Sequence, residues 1–273
     1  MILGESNDDY HLAPQVSNSK LSTYLRRGAH AYEAMYVSRS YVRKPTAAMR
    51  KGSDFEDAVC GRAEVAVVPE GMKLSTKAGI AFKEENAGKL IVGAADAGLF
   101  TKGVDNVRAL MDEKGFLTGA VEQPTFRADY PGLPGIQARP DWFVPSTGVA
   151  PDLKTTDRLD RFHFAIEDYL YFMQAAFVRR SSGISDLRHP LVVLEKKYPY
   201  PCEVFWLTDA YVRDGLDLMD RALEKLASHY KSGVWPLIER NEVSVSPPDR
   251  DRWFLHMGRQ YEINSGDHDF SNI

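Results

Sequence analysis

Thiols are scarce in this chain of 273 residues, which has two cysteines, Cys60 and Cys202, far apart. A thiolate zinc site or an iron–sulfur cluster needs more cysteines at closer spacing, so both are excluded. Two unpaired thiols in a reducing cytoplasm are expected instead. No window of roughly 18 uncharged apolar residues occurs, so no membrane helix is expected. The opening Met-Ile-Leu-Gly-Glu-Ser-Asn-Asp-Asp has no basic n-region and no apolar h-region, and no secretory signal is expected there. A Gly-x-x-x-x-Gly-Lys-(Ser/Thr) loop is missing, which argues against an ATP-driven motor. The seven histidines are scattered, without the i, i+4 pairing of a helical zinc motif. Internal repeats and low-complexity linkers are also missing.

What is present is unevenly charged. The chain carries a net −4. Between Lys20 and Lys51 stand eight basic residues and one acid, Glu33, a local net of +7 that leaves −11 elsewhere. A basic end on an acidic body suits a directed phosphate-binding surface, or simply a solvated helix face. At 44% hydrophobic and 26% charged, the chain can bury a substantial core.

The order of patterns predicts helices, a run of strands, a long helix, two strands and a helix. Ser17-Asn-Ser19 is an N-cap cluster for a helix from near Lys20, with Leu21, Leu25, Ala29, Tyr32 and Tyr36 at helical spacing. Pro45 opens a second helix bearing Ala48, Met49, Phe55 and Val59. Strands are expected over 63–68, 89–94, 116–126, 135–144, 149–154, 191–196 and 202–207. Helices are expected over 104–114, 159–180 and 210–230, with residues 1–16 irregular. This reads as one α/β domain over 1–273, a mixed sheet flanked by helices, with its core at about 15–240 and a polar tail over 241–273.

The strongest chemical signal is Arg139-Pro-Asp141 followed by Asp152-Leu-Lys154-Thr-Thr156. With Pro145 to Gly148 as a turn, antiparallel pairing sets Asp141 opposite Asp152, and Lys154 shares the face of Asp152. Two close carboxylates are costly unless a cation lies between them. A divalent metal beside a lysine is a kit for hydrolysing a phosphodiester.

These pieces resemble the PD-(D/E)xK nuclease superfamily, and within it the RecE-like and lambda-exonuclease-like phage recombination exonucleases. Ser17-Asn-Ser-Lys-Leu21 resembles their serine-rich start. Ala48-Met-Arg-Lys-Gly52-Ser-Asp-Phe-Glu56 resembles the first core motif, and Arg139-Pro-Asp141 with Asp152-Leu-Lys154 the catalytic motif. Tyr171-Phe-Met-Gln174 resembles the glutamine-bearing helix, and Gly233-Val-Trp-Pro236 a segment near the end. RecE-like proteins usually carry His where Glu56 stands, whereas the lambda-type group carries Glu.

The resemblance implies a restriction-endonuclease-like α/β core. It also implies an exonuclease that digests linear double-stranded DNA from an end, 5′ to 3′, leaving 3′ single-stranded overhangs for recombination. Asp141, Asp152 and the Leu153 carbonyl would hold Mg²⁺, with Mn²⁺ as a substitute and one or two ions per site. Glu56, or Glu122 in the preceding strand, would serve a second ion. Lys154 would orient or help deprotonate the attacking water, and Gln174 would contact the active site. Ser17, Ser19, Arg26 and Arg27, with Arg139 alongside, would bind DNA and its 5′ phosphate. The expected partners are DNA ends, a single-strand annealing protein and further copies in a trimer or tetramer ring, with no membrane. Two alternatives stay open: another nuclease of the superfamily (a structure-specific endonuclease or helicase-associated domain), and a non-catalytic DNA-binding module of the same fold.

Overall fold

The computed structural model describes residues 1–42 and 44–237. The polar tail expected over 241–273 lies outside the described residues. In chain order the helices are α1 (Asn7–Leu12), α2 (Asn18–Tyr32), α3 (Ala47–Cys60), α4 (Lys77–Glu85), α5 (Val104–Glu113), α6 (Phe162–Asp168), α7 (Tyr171–Ser182) and α8 (Asp209–Ser232). The strands are β1 (Val65–Val67), β2 (Leu90–Val92), β3 (Val121–Glu122), β4 (Phe126–Ala128), β5 (Ile136–Ala138), β6 (Trp142–Phe143), β7 (Asp152–Thr156), β8 (Leu191–Glu195) and β9 (Cys202–Phe205).

The expected α/β architecture is present. A mixed sheet runs β7-β8-β9, with β7 parallel and β9 antiparallel to β8. Its middle strand is buried on both faces. Val192 and Leu194 pack with Phe55 of α3 and Val107 of α5. Leu191 and Val193 pack with Phe162 of α6 and Phe172 of α7. That is why Leu-Val-Val-Leu reads as a continuous apolar run and not as an alternating one. Three two-stranded ladders complete the strands: β1-β2 parallel, β3-β6 and β4-β5 antiparallel.

Several boundaries differ from expectation, each for a local reason. The strand expected over 116–126 breaks at Gln123, whose φ is +43°, and Pro124 follows it. The strand expected over 135–144 is split by Pro140, which has no N–H for a ladder. The long helix expected over 159–180 is divided at Leu170, which turns left-handed (φ 56°), into α6 and α7. Two short helices had no periodic signal, α1 and the mostly exposed α4. The start of α2 is as expected, with Ser17 as N-cap accepting from Lys20 N–H, but Gly28 (φ 82°) breaks its continuity. Thr46 rather than Pro45 caps α3.

α7 and α8 pack closely where Gly215 faces the backbone of α7. A Cβ at 215 would lie 2.3 Å from the Phe172 carbonyl oxygen. Gly215→Ala should therefore push the two helices apart and cost about 1–3 kcal/mol. That corresponds to a melting temperature lower by ~2–4 °C per kcal/mol, measurable by calorimetry. An unchanged melting temperature would show that the contact yields freely.

Candidate active site

The turn after β6 does what its residues suggest. Gly148 takes φ 64°, and Val144 N–H reaches the Val149 carbonyl at 2.7 Å. The Trp142 N–H reaches the Pro151 carbonyl at 3.2 Å, which brings Asp141 beside the start of β7. The hairpin is shorter than expected, a single bridge at Val144 and Val149. β6 spends its ladder on β3, and β7 spends its ladder on β8. The two aspartates still meet the same backbone, since Asp141 Oδ2 accepts the Leu153 N–H at 2.6 Å.

Asp152 is 2% exposed. Its Oδ1 accepts from Gln174 Nε2 on α7 at 2.9 Å. Its Oδ2 forms an ion pair with the Lys154 ammonium, which also stands 4.9 Å from the Tyr171 ring centre. Burial alone would lower the lysine's pKa. Asp152 first, then Tyr171 and Asp141, outweigh that and hold Lys154 charged. Burial, then Asp152 and Glu56, push the Asp141 carboxyl well above the usual carboxylate range, and Lys154 and the Leu153 N–H offset this only in part.

Asp141 and Gln174 open onto a cavity of about 560 Å³. Ser53, Glu56 and Asp57 reach it from α3, because residues three and four apart share a helix face. Glu56 Oε1 accepts from Arg62 Nη2 at 2.8 Å and from Gln123 Nε2 at 2.7 Å. The same guanidinium donates to Asp57 at 2.8 Å and to Glu122 at 3.4 Å. Glu122 is therefore tied to Glu56 through Arg62, but its side chain lines a neighbouring groove with Cys60 and Arg108. Gln123, next along the chain, takes the cavity-facing place.

The N-terminus of α2 lines the same cavity. Ser17 and Ser19 line it with their hydroxyls 3.0 Å apart, and Asn18 joins them. Arg139 lines it as well, with its guanidinium 4.3 Å from the Tyr10 ring centre and a bond to the Ser6 carbonyl at 3.3 Å. Arg26 and Arg27 do not line this cavity, and Arg26 bonds the Asp168 carbonyl. They sit two turns into α2, past the end that faces the site. Lys20, counted with the basic surface in the sequence, is buried and donates to the Gln15 carbonyl at 3.0 Å. Burial lowers its pKa to about 8.

Thus the structure ties Asp152, Leu153 and Lys154 to Asp141 and Gln174, and sets Asp141, Gln174 and Glu56 in one cavity with Ser17, Ser19 and Arg139. It leaves Arg26 and Arg27 outside. Arg62, Gln123 and His11 at the cavity gave no signal in sequence beyond Arg62 following Gly61, the left-handed C-cap of α3.

The donors fit a hard divalent cation. Asp152 Oδ2 is buried and engages the Lys154 ammonium, and the ligand atoms on offer beside it are carboxylate and carbonyl oxygens. Among the described residues, no three Asp, Glu, His or Cys side chains already stand together as a metal site. Glu56 is held by Arg62 and Gln123, so it would have to exchange partners to join Asp141 and Asp152.

Compared with known protein families and with curated proteins, the sequence matches none. Among solved structures it is similar to a candidate exonuclease from Eubacterium rectale, at TM-score 0.54 and 15% identity over 93% of this chain and 98% of that one. A protein designated SSO0001 aligns at TM-score 0.30 and 11% identity over 81% of this chain and 87% of that one, too loosely to carry an argument. No helix among the described residues is long and apolar enough to cross a membrane. The chain therefore shares the α/β fold of the Eubacterium rectale protein along nearly its whole length.

Proposed function

We propose that the protein is a metal-dependent nuclease of the PD-(D/E)xK kind, acting on the ends of linear double-stranded DNA. The observation that carries this reading is the cluster itself. Asp141, Gln174 and Glu56 line one cavity with the Ser17–Ser19 start of α2 and Arg139, and Asp152 with its partner Lys154 is tied to that cavity through Gln174 and the Leu153 N–H. The similarity to a protein described as a candidate exonuclease supports it.

Asp141 and Asp152 would hold Mg²⁺ or Mn²⁺, with the Leu153 carbonyl and Glu56 as further ligands. Such an ion supplies an activated water at neutral pH and neutralises charge on the phosphate. Lys154 would orient or help deprotonate the attacking water and stabilise negative charge developing on the scissile phosphate. Gln174 fixes the rotamer of Asp152. Arg139, with Ser17 and Ser19, would receive the terminal phosphate in place of Arg26 and Arg27. The 5′-to-3′ polarity, the ring assembly and the annealing partner rest on the family resemblance.

The test compares linear and closed-circular duplex with and without Mg²⁺, using 5′-phosphate and 5′-hydroxyl ends. Linear DNA should be degraded only with metal, and the closed circle should survive. Arg139→Ala should lower the rate on 5′-phosphorylated ends about tenfold or more, while replacing Arg26 and Arg27 by Ala leaves end preference intact. Cleavage of the closed circle would overturn the end-acting reading.

A further inference from the structure

A second groove, of about 440 Å³, lies on the other side of α3. Ser53, Glu56 and Asp57 face the candidate active site, whereas Ala48, Lys51, Gly52 and Phe55 face this groove. Thr155 lines it too, one residue beyond Lys154. The groove and the site are thus built on the same helix and the same strand.

Lys51, Lys196 and Lys197 line it together with Asp96 and Asp157, a net charge of +1. Asp96 holds Lys51 at 2.6 Å and Asp157 holds Lys196 at 3.0 Å, while Lys197 makes no ion pair among the described residues. Gly52 has open space where a Cβ would be, so a backbone can approach that wall closely. Next to Lys197 the ring of Tyr198 is 77% exposed, with the Lys102 ammonium 5.1 Å from its centre. The loop that carries this ring is held by its neighbours. Asn106 donates to the Tyr200 carbonyl at 2.8 Å and to the Pro199 carbonyl at 3.3 Å, and Tyr200 seats its hydroxyl against Gly98. A loop fixed by its neighbours thus presents an aromatic ring to solvent directly after Lys197, which lines the groove.

The geometry points to this groove as a binding site for single-stranded DNA. Phosphates would lie along Lys51, Lys196 and Lys197, and a base would stack on Tyr198. Lysines tracking a backbone beside a stacking ring are the general means of holding single strands. Inside a duplex the base faces are stacked on one another, so its interior leaves Tyr198 nothing to stack on. The inference rests on the nuclease reading, under which degradation of one strand leaves the other single-stranded next to the site.

The test is fluorescence anisotropy with a labelled oligothymidylate, without divalent metal, over a series of salt concentrations, on the full chain. Tyr198→Ala should weaken binding at least about fivefold with the salt dependence unchanged, and Tyr198→Phe should restore it. Lys196→Ala with Lys197→Ala should flatten the slope of log K against log salt by about 0.7 per lost phosphate contact. Wild-type affinity in both variants, no binding of oligothymidylate by the wild type, or an equal loss for blunt duplex would each overturn the inference. Degradation of linear duplex is scored separately. If it persists while the groove variants bind normally, the groove assignment fails and the nuclease reading stands. If it is missing in the wild type, the nuclease reading fails.

Discussion

Asp141→Asn should abolish metal-dependent DNA cleavage, by a factor on the order of 10³ or more, and at the same time make the metal-free protein more stable. Asparagine keeps an oxygen for the Leu153 N–H, which Asp141 now accepts at 2.6 Å, so the local backbone should hold. What it loses is a charged ligand. The stability gain follows from the raised pKa of Asp141, caused by burial and then by Asp152 and Glu56. A carboxyl whose pKa is higher in the folded than in the unfolded state costs nothing at pH below the unfolded value. Its penalty grows as pH rises through the interval between the two values, and is complete above the folded one. At pH 8 the variant escapes that penalty, so its melting temperature should exceed the wild type's, and the difference should shrink toward pH 4. Removing functional strain commonly returns about 0.5–2 kcal/mol. Calorimetry across pH together with a nuclease assay checks both halves. Retained cleavage would remove Asp141 from the site, and a lower melting temperature at pH 8 would contradict the electrostatic account.

Lys154→Ala should lose cleavage by about 10²–10⁴-fold and, unlike Asp141→Asn, should destabilise the fold. The reason is Asp152, 2% exposed and paired through Oδ2 with the lysine. Removing one partner of a buried pair leaves an uncompensated charge, at a cost of about 3–5 kcal/mol. The coupling can be read from a double-mutant cycle. Adding Asp152→Asn to Lys154→Ala should recover most of the lost stability and none of the activity. Additive stability losses would mean that the ion pair does not form in solution. Lys154→Arg separates the roles further. It keeps the charge near Asp152 and much of the stability, but a guanidinium cannot take the compact position of the ammonium, so activity should remain low.

The part of this arrangement legible in sequence was the part encoded locally. Pro145 and Gly148 announce the turn that sets Asp141 against β7. Alternation along a strand puts Asp152 and Lys154 together, and Leu191 to Leu194 read as a buried strand. The N-cap of α2 was equally plain from Ser17. What sequence misjudged was continuity. Leu170 and Gln123 adopt positive φ without being glycine, and no local pattern marks a leucine for that conformation. The long helix and the strand drawn through those two residues were therefore broken in the fold.

Composition alone could not say which charges would be spent where. The basic stretch from Lys20 to Lys51 looked like one surface. In the fold Lys20 is buried against backbone carbonyls, Lys51 pairs with Asp96, and Arg26 caps the end of α6 at Asp168. The cation that meets Glu56 is Arg62 instead, and Arg139 lines the same cavity, fixed by its contacts with Tyr10 and α1. The sequence by itself determined the α/β plan, the turn and the trio of Asp141, Asp152 and Lys154, because each depends on residues within reach of a single turn or strand. Only the tertiary structure decided that Glu56 is held by Arg62 and Gln123, that Gln174 bonds Asp152, and that α3 divides a carboxylate-lined cavity from a lysine-lined groove. Those contacts join residues far apart in the chain, and which of several equivalent charges meets which is settled by packing, not by pattern.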